Sequence, residues 1–268
     1  MPELAEVEYF RKQWDAGLGQ RVSGVALHSE KRVFRGSSPA TIQETLSNAT
    51  LRDSAANGKQ LMFRFSKNAW LGIHLGMSGK LRIEPPGFKP ARHDHLVLFQ
   101  KRQTLVFADP RMFGRVRFHC GKTAPSWWAN LPPAVTSPKF TAAKLRAIFQ
   151  RRRAAPLKAL LLAQDVFPGV GNWMADEILW QARLDPRIAA ALLTPKQTRE
   201  LWRVARAVCR MSLKTIGVDW SDPPDDWLIH QRWKHSGHCP RHGTPLKRAT
   251  VAGRTTAWCP RCQKPARA

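Results

Sequence analysis

Acidic residues are scarce in this chain. Asp and Glu number 19 against 44 Lys and Arg, which leaves a formal net charge of +25. A deficit that large argues for a polyanionic partner, nucleic acid before any other. Long apolar runs are missing as well. None reaches the roughly 18 residues a membrane span needs, so a lipid surface is the weaker rival and no membrane association is expected. No basic stretch followed by an apolar one opens the chain, so export is not expected. Cysteines number five, and their clustering fits a reducing, cytoplasmic setting better than a disulfide framework. Tyrosine occurs once against eleven tryptophans, an imbalance the pattern does not explain. No internal repeat is present.

Hydrophobic residues make up 43% of the 268 positions, enough for real cores and for two domains of ordinary size. Leu4, Val7, Phe10, Trp14 and Leu18 recur at spacings of three and four, which predicts a helix over 3–18. Pro2 then sits at the helix start, with Glu3 and Glu6 placed to complement the dipole. From about 21 to 119 the pattern changes to short strands bounded by Gly, Pro, Asn and Asp: RVSGVALHS, KQLMFRF, WLGIHLGMSG, HLVLF, TLVFADP and GRVRFHC. Residues 121–138 hold four prolines and no period, the mark of a linker. Beyond them TAAKLRAIFQRR, PLKALLLAQ, GNWMADEILWQAR and TPKQTRELWRVARAVCRMSLKTIG carry helical spacing. The last of these begins with Thr194 as N-cap and Pro195 at the first helical position. The division read from these shifts is 1–120, a linker at 121–138, a helical domain at 139–229 and a small Cys/His-rich module at 230–268.

Three of the five cysteines fall in that last module. Cys239 and His242 form a C-x2-H pair, and Cys259 and Cys262 a C-x2-C pair. Two such knuckles supply four soft ligands for one tetrahedral Zn2+. The stretch between them alternates like a hairpin with its turn at Ala252-Gly253, which would bring the knuckles together. A segment this short has little core without a metal. Cys120 and Cys209 are expected to be buried small hydrophobes.

PELAEVE at the start and GRTTAWCPRCQ near the end resemble the formamidopyrimidine-DNA glycosylase and endonuclease VIII family of base-excision repair enzymes. NGKQLMF, HLGMSGKLRI, DPRMFGRV, PLKALLLAQ and PGVGNWMADEIL stand in the family's order and at about its spacing. The start resembles the formamidopyrimidine branch more closely. The resemblance implies an α+β multidomain fold: an N-terminal helix and antiparallel β-sandwich, a helix–two-turn–helix domain, and a zinc-finger β-hairpin, with DNA held between the lobes. It implies a monomeric glycosylase and abasic-site lyase acting on double-stranded DNA with oxidised bases or abasic sites.

Residue by residue, the resemblance makes Pro2 the nucleophile once Met1 is removed and Glu3 the proton donor. Lys59, in Asn57-Gly58-Lys59, is the catalytic lysine, and Arg254 joins this group as a phosphate contact on the finger. Glu6 matches a second family glutamate, with helix support as an equal reading. Met77, Arg111 and Phe113 match the residues that fill the hole left by an extruded nucleotide. Lys158 matches a phosphate-binding position, as does Asn172, whose amide is joined by the N–H groups of its helix. Taken alone, Met77 and Phe113 read equally as sandwich core, and Lys59 as a solvated turn.

Departures from the pattern are Ala5 for a proline, Met112 where relatives carry a second arginine, and His242 for a cysteine. Between Gly217 and Cys239 the chain also lacks the Gly-Gly-Thr-Thr-like stretch that covers extruded 8-oxoguanine in formamidopyrimidine glycosylases. Two further readings therefore stand beside the first. One is an enzyme acting mainly on abasic sites and oxidised pyrimidines; the other is a damage-binding protein that does not cut.

Overall fold

A computed structural model gives the structure of residues 1–265. The chain divides into two compact units, one made of Met1–Pro2 and Glu6–Leu131, the other of Glu3–Ala5 and the chain from Pro132 on.

Helix α1 (Leu4–Gln13) is shorter than the spacing predicts, and a 3-10 turn follows it at Asp15–Gly17. Packing explains the break. A Cβ on Gly17 would lie 2.8 Å from the side chains of Gln100 and Leu105, so the position requires glycine, which weakens a helix. The strands of this unit are β1 (Val22–Leu27), β2 (Leu51–Asn57), β3 (Gln60–Phe65), β4 (Ala69–His74), β5 (Lys80–Glu84), β6 (Asp94–Gln100), β7 (Thr104–Ala108) and β8 (Arg115–Cys120). They form two antiparallel sheets, ordered β1-β6-β7-β5 and β2-β3-β4-β8. Trp14, Phe63, Leu71, Leu98 and Phe107 belong to the one core cluster these sheets share.

Three elements of this unit go beyond the predicted pattern. LRDSAAN has few β-formers, and β2 exists because β3 pairs with it from Leu51↔Phe65 to Asn57↔Gln60. Strand β5 lies inside the motif HLGMSGKLRI and pairs with β7. Helix α2 (Pro39–Leu46) carries an N-terminal signal of its own: Ser38 Oγ accepts from Thr41 N–H, and Pro39 opens the first turn. The predicted linker is also partly built into this unit. Helix α3 (Ser126–Ala129) lies within it, and Trp127 packs so closely on Gly72 of β4 that a Cβ there would lie 2.6 Å from the ring.

The second unit holds α4 (Ala142–Arg151), α5 (Leu157–Leu162), α6 (Asn172–Gln181), α7 (Pro195–Lys214), α8 (Ile216–Asp219), α9 (Ile229–Arg232) and the hairpin β9 (Lys247–Val251) and β10 (Arg254–Trp258). Thr194 closes a full capping box with Gln197 at the start of α7. Leu201, Val204, Ala205 and Val208 of α7 enter the unit's main core with Leu4 and Ala5 of α1. Cys209 is in that core, and burial pushes its thiol up to about 12. Cys120 departs from expectation: it ends the edge strand β8 and is exposed. The hairpin turns at Ala252 and Gly253, both with positive φ, so Val251 pairs with Arg254. The last three residues of the 230–268 module lie outside the described residues.

Candidate active site

The N-terminal residues lead directly into α1. Met1 is exposed and Pro2 half-buried, whereas Glu3 is 3% exposed. The Glu3 carboxylate reaches the start of α6, 168 or more positions away. It accepts N–H groups from Gly171 at 2.8 Å, Trp173 at 3.0 Å and Met174 at 3.2 Å. Those are the orphan donors of a helix N-terminus, and a carboxylate there also meets the positive end of the dipole. Gly171 has no side chain for good reason, since a Cβ would strike the Glu3 carboxyl carbon. This corrects one expectation: these α6 N–H groups are capped by Glu3 and are not open to a phosphate.

Lys158 needs a second correction. Its ammonium is fully buried, pairing with Asp176 at 2.5 Å and donating to the Asn172 carbonyl at 2.8 Å. A cation so enclosed offers a phosphate no direct contact. Burial pulls its pKa down, while Asp176 and Glu3 pull the other way. Asp176 is the hub: its second oxygen takes Arg232 at 2.5 Å and the Ala257 N–H of β10 at 3.2 Å. Glu3, Lys158, Asp176 and Arg232 thus place two anions with two cations in the interior, the condition under which buried charge is tolerable. The sequence reading missed Asp176 and Arg232, although Asp176 stands in the quoted motif PGVGNWMADEIL.

The same tie brings the finger to α6. Asn172 Nδ2 donates to the Thr255 carbonyl at 3.0 Å, one residue from the exposed Arg254. Asn172 Oδ1 is buried with no partner among the described residues. Glu177, next along α6, accepts from Ile229 N–H at 3.1 Å and Gln181 at 2.9 Å. Burial pushes its carboxyl up to about 7.

In the first unit, Lys59 follows Gly58, whose φ of +61° turns the β2–β3 hairpin. Lys59 is 7% exposed, so the solvated-turn reading fails. His74 on β4, opposite Gln60, is driven down to about 4, by burial first and then by Lys59, Arg117 and Arg35. It is neutral at physiological pH and adds no charge beside Lys59.

Met77, Arg111 and Phe113 share one exposed ledge. Met77 is 39% and Phe113 45% exposed, which excludes the core reading, and the Arg111 guanidinium lies over the Phe113 ring at 5.0 Å. Their two loops are locked together. Gly76, at φ +63°, presses against the Phe113–Gly114 backbone, and Ser78 Oγ donates to Asp109 at 2.6 Å. Met112 is exposed with φ +54°.

Cys239, His242, Cys259 and Cys262 converge, their ligand atoms all within 4.8 Å of one another. Cys239 Sγ lies 3.7 Å from His242 Nε2 and 3.8 Å from Cys262 Sγ. Ligands bound at the usual lengths to one small tetrahedral cation are separated by about 3.3–3.8 Å; His242 Nε2 and Cys262 Sγ are closer, at 3.0 Å, and it is four soft donors gathered in one cluster that fit a metal ion. Trp180 Nε1 donates to Cys239 Sγ at 3.3 Å, tying this cluster to α6 as well.

Two family models match the chain: formamidopyrimidine-DNA glycosylase N-terminal domain over residues 1–116, and formamidopyrimidine-DNA glycosylase H2TH domain over residues 131–221. A formamidopyrimidine-DNA glycosylase of Bordetella petrii is 35% identical, the match covering 98% of this chain and all of that protein. One from Janthinobacterium sp. (strain Marseille) is 33% identical at the same coverage. Among solved structures, wild-type Lactococcus lactis Fpg in complex with DNA containing an oxidised pyrimidine superposes with a TM-score of 0.87 at 25% identity, covering 98% of this chain and 100% of that one. A point mutant of that protein with Fapy-dG-containing DNA gives 0.87 at 26% identity and the same coverage.

Proposed function

The chain belongs to the formamidopyrimidine-DNA glycosylase family, a base-excision repair DNA glycosylase with the family's lyase activity, and from that premise we propose which residues do the work. Pro2, freed of Met1, attacks C1′ of the damaged nucleotide. An α-amino group ordinarily titrates near ~8, so part of it is a neutral nucleophile at physiological pH. The N–C1′ bond forms as the glycosidic bond breaks, and the base leaves with its electron pair to be protonated. Cleavage of the C1′–O4′ bond, with O4′ taking a proton, then gives an iminium that has no N–H to lose and stays cationic. It therefore acidifies the 2′ hydrogen, and β- then δ-elimination cut the strand.

Glu3 carries the proton traffic. Fixed by three N–H donors, its carboxylate is set to receive a proton from the Pro2 ammonium and return it to the opening sugar ring. That fixed, buried carboxylate directly after Pro2 is the observation that carries the reading. Lys59 is the catalytic lysine. Met77, Arg111 and Phe113 fill the space left by the extruded nucleotide. Arg254 grips a phosphate with the help of Asn172, while Lys158 positions the start of α6 from below. The four-part division at 120, 138 and 229 follows these roles.

The ion of the finger is Zn2+, held by Cys239, His242, Cys259 and Cys262; it fixes the hairpin that presents Arg254. Metal analysis of active protein should find about one zinc per chain. The protein acts on duplex DNA as a monomer, in the cytoplasm.

The test is incubation with a duplex carrying one abasic site. Nicking that leaves phosphates at both ends supports the enzyme; a mobility shift without nicking supports the non-cutting binder. The interval after α7 favours a broad substrate choice: Pro223 and Pro224 are held by the His230 ring through their carbonyls at 3.0 and 3.1 Å, a short braced segment in place of a flexible lid. Single-turnover cleavage should process ring-opened purines, oxidised pyrimidines and abasic sites at least as well as 8-oxoguanine. A clear 8-oxoguanine preference would contradict it.

A further inference from the structure

The turn that carries Arg111 and Phe113 is fastened from below by Asp109. Its carboxylate accepts from Ser78 Oγ and from Gly114 N–H, each at 2.6 Å. Its carbonyl accepts Met112 N–H at 3.1 Å and lies 3.0 Å from His95 Nε2. A carbonyl oxygen only accepts, so His95 Nε2 must carry a proton. In the neutral ring Nδ1 is then a bare acceptor. It faces His28 Nδ1 at 3.4 Å, which must therefore be the donor. A backbone bond from His28 N–H to the His95 carbonyl, 3.1 Å, holds the two residues side by side.

We propose that His95, oriented by His28, is a positioning residue for lesion binding: its neutral Nε2–H form holds the Asp109 turn, and through it the Arg111–Phe113 ledge, in the shape that enters the duplex. This rests on the reading of the ledge given above. None of the residues in the chain His28–His95–Asp109 need touch DNA. The ledge itself is exposed and its shape is set by what lies beneath it, so one hydrogen bond to the turn's backbone acts on both side chains together.

The arrangement depends on charge. His95 is 1% exposed, and burial is the largest influence on it, pulling its pKa below the usual 6.5. Of the groups that face it, His28 and His93 act in the same direction, while the Asp109 carbonyl and carboxylate oppose. A depressed histidine pKa means that the opened turn takes up a proton more readily than the closed one. The closed turn is therefore favoured near neutrality and weakens as pH falls below about 6.5. Protonating His95 would also set two N–H donors face to face across the gap to His28.

The experiment compares dissociation constants for two duplexes, one undamaged and one carrying a tetrahydrofuran abasic analogue that the lyase cannot cut. Their ratio removes most of the general attraction of phosphate for a basic protein. His95→Leu should lower the ratio about tenfold. His95→Gln, which still presents an N–H to Asp109 but does not titrate, should keep the ratio and hold it level from pH 8 to pH 5, where the unmodified protein's ratio falls. His28→Leu, at a half-buried position, should lower the ratio several-fold. The inference is overturned if His95→Leu or His28→Leu keeps the full ratio, or if His95→Gln retains the acid fall. Arg111→Ala and Phe113→Ala separate this from its premise. If neither lowers the ratio, the ledge reading fails and takes the inference with it; if both do and the histidine variants do not, the inference alone fails.

Discussion

At the start of α6 charge is buried and answered: Glu3, Lys158, Asp176 and Arg232 are each no more than 3% exposed and each is bonded to a fixed partner. On the 109–114 turn the arrangement is reversed. Phe113 and Arg111 face outward, and the Asp109 beneath them is buried. On the roles proposed above, the difference follows from the task. A group that moves protons needs one geometry and little water. A group that enters a duplex must be accessible, so its order comes from the backbone under it.

Substitutions should separate the two plans. The largest effect is expected at Glu3. Glu3→Gln keeps an oxygen to cap α6 but loses the proton shuttle, so single-turnover incision should fall by roughly 10²–10⁴. A fall below tenfold would move that role to another residue. Next is Asp176→Asn, which strands two buried cations. It should lower the stability of the second unit by about 3–5 kcal/mol in urea unfolding, and an unchanged midpoint would show that water reaches the network. Phe113→Ala should do the opposite. Its thermal midpoint stays level, while affinity for an abasic duplex drops by about 1–3 kcal/mol, the worth of one stacked contact.

The smallest effect concerns Glu177. Its folded pKa of about 7 lies above the unfolded value of about 4.3, so the fold binds the proton more tightly. Stability from this group is full below about pH 4.3 and is lost as pH rises through 7. Glu177→Gln should therefore gain on the unmodified protein in melting temperature between about pH 5 and pH 8. Parallel curves would place the titration elsewhere.

What could be read from the sequence follows the range of the interaction. The Thr194–Pro195 start of α7, the Ala252-Gly253 turn and the convergence of the two knuckles are local signals, each carried by a few neighbouring residues. Glu3 and Lys158 stood out in the sequence only through resemblance, and their surroundings were not legible at all. That Glu3 caps α6, or that Asp176 encloses Lys158, depends on segments brought together by folding. Strand β2 was hidden for the same reason, since its partner rather than its composition makes it a strand. The ledge lay between: its motifs were plain, but only burial distinguished exposed Phe113 from a core residue.

The central claim is that the N-terminal amine, served by a buried carboxylate, forms the covalent bond. Borohydride added during reaction with an abasic duplex should reduce the iminium to a stable amine link, and peptide mass spectrometry should place it on Pro2. Protein retaining Met1 should yield no such crosslink. A crosslink on Lys59, or full trapping with Met1 in place, would contradict the account.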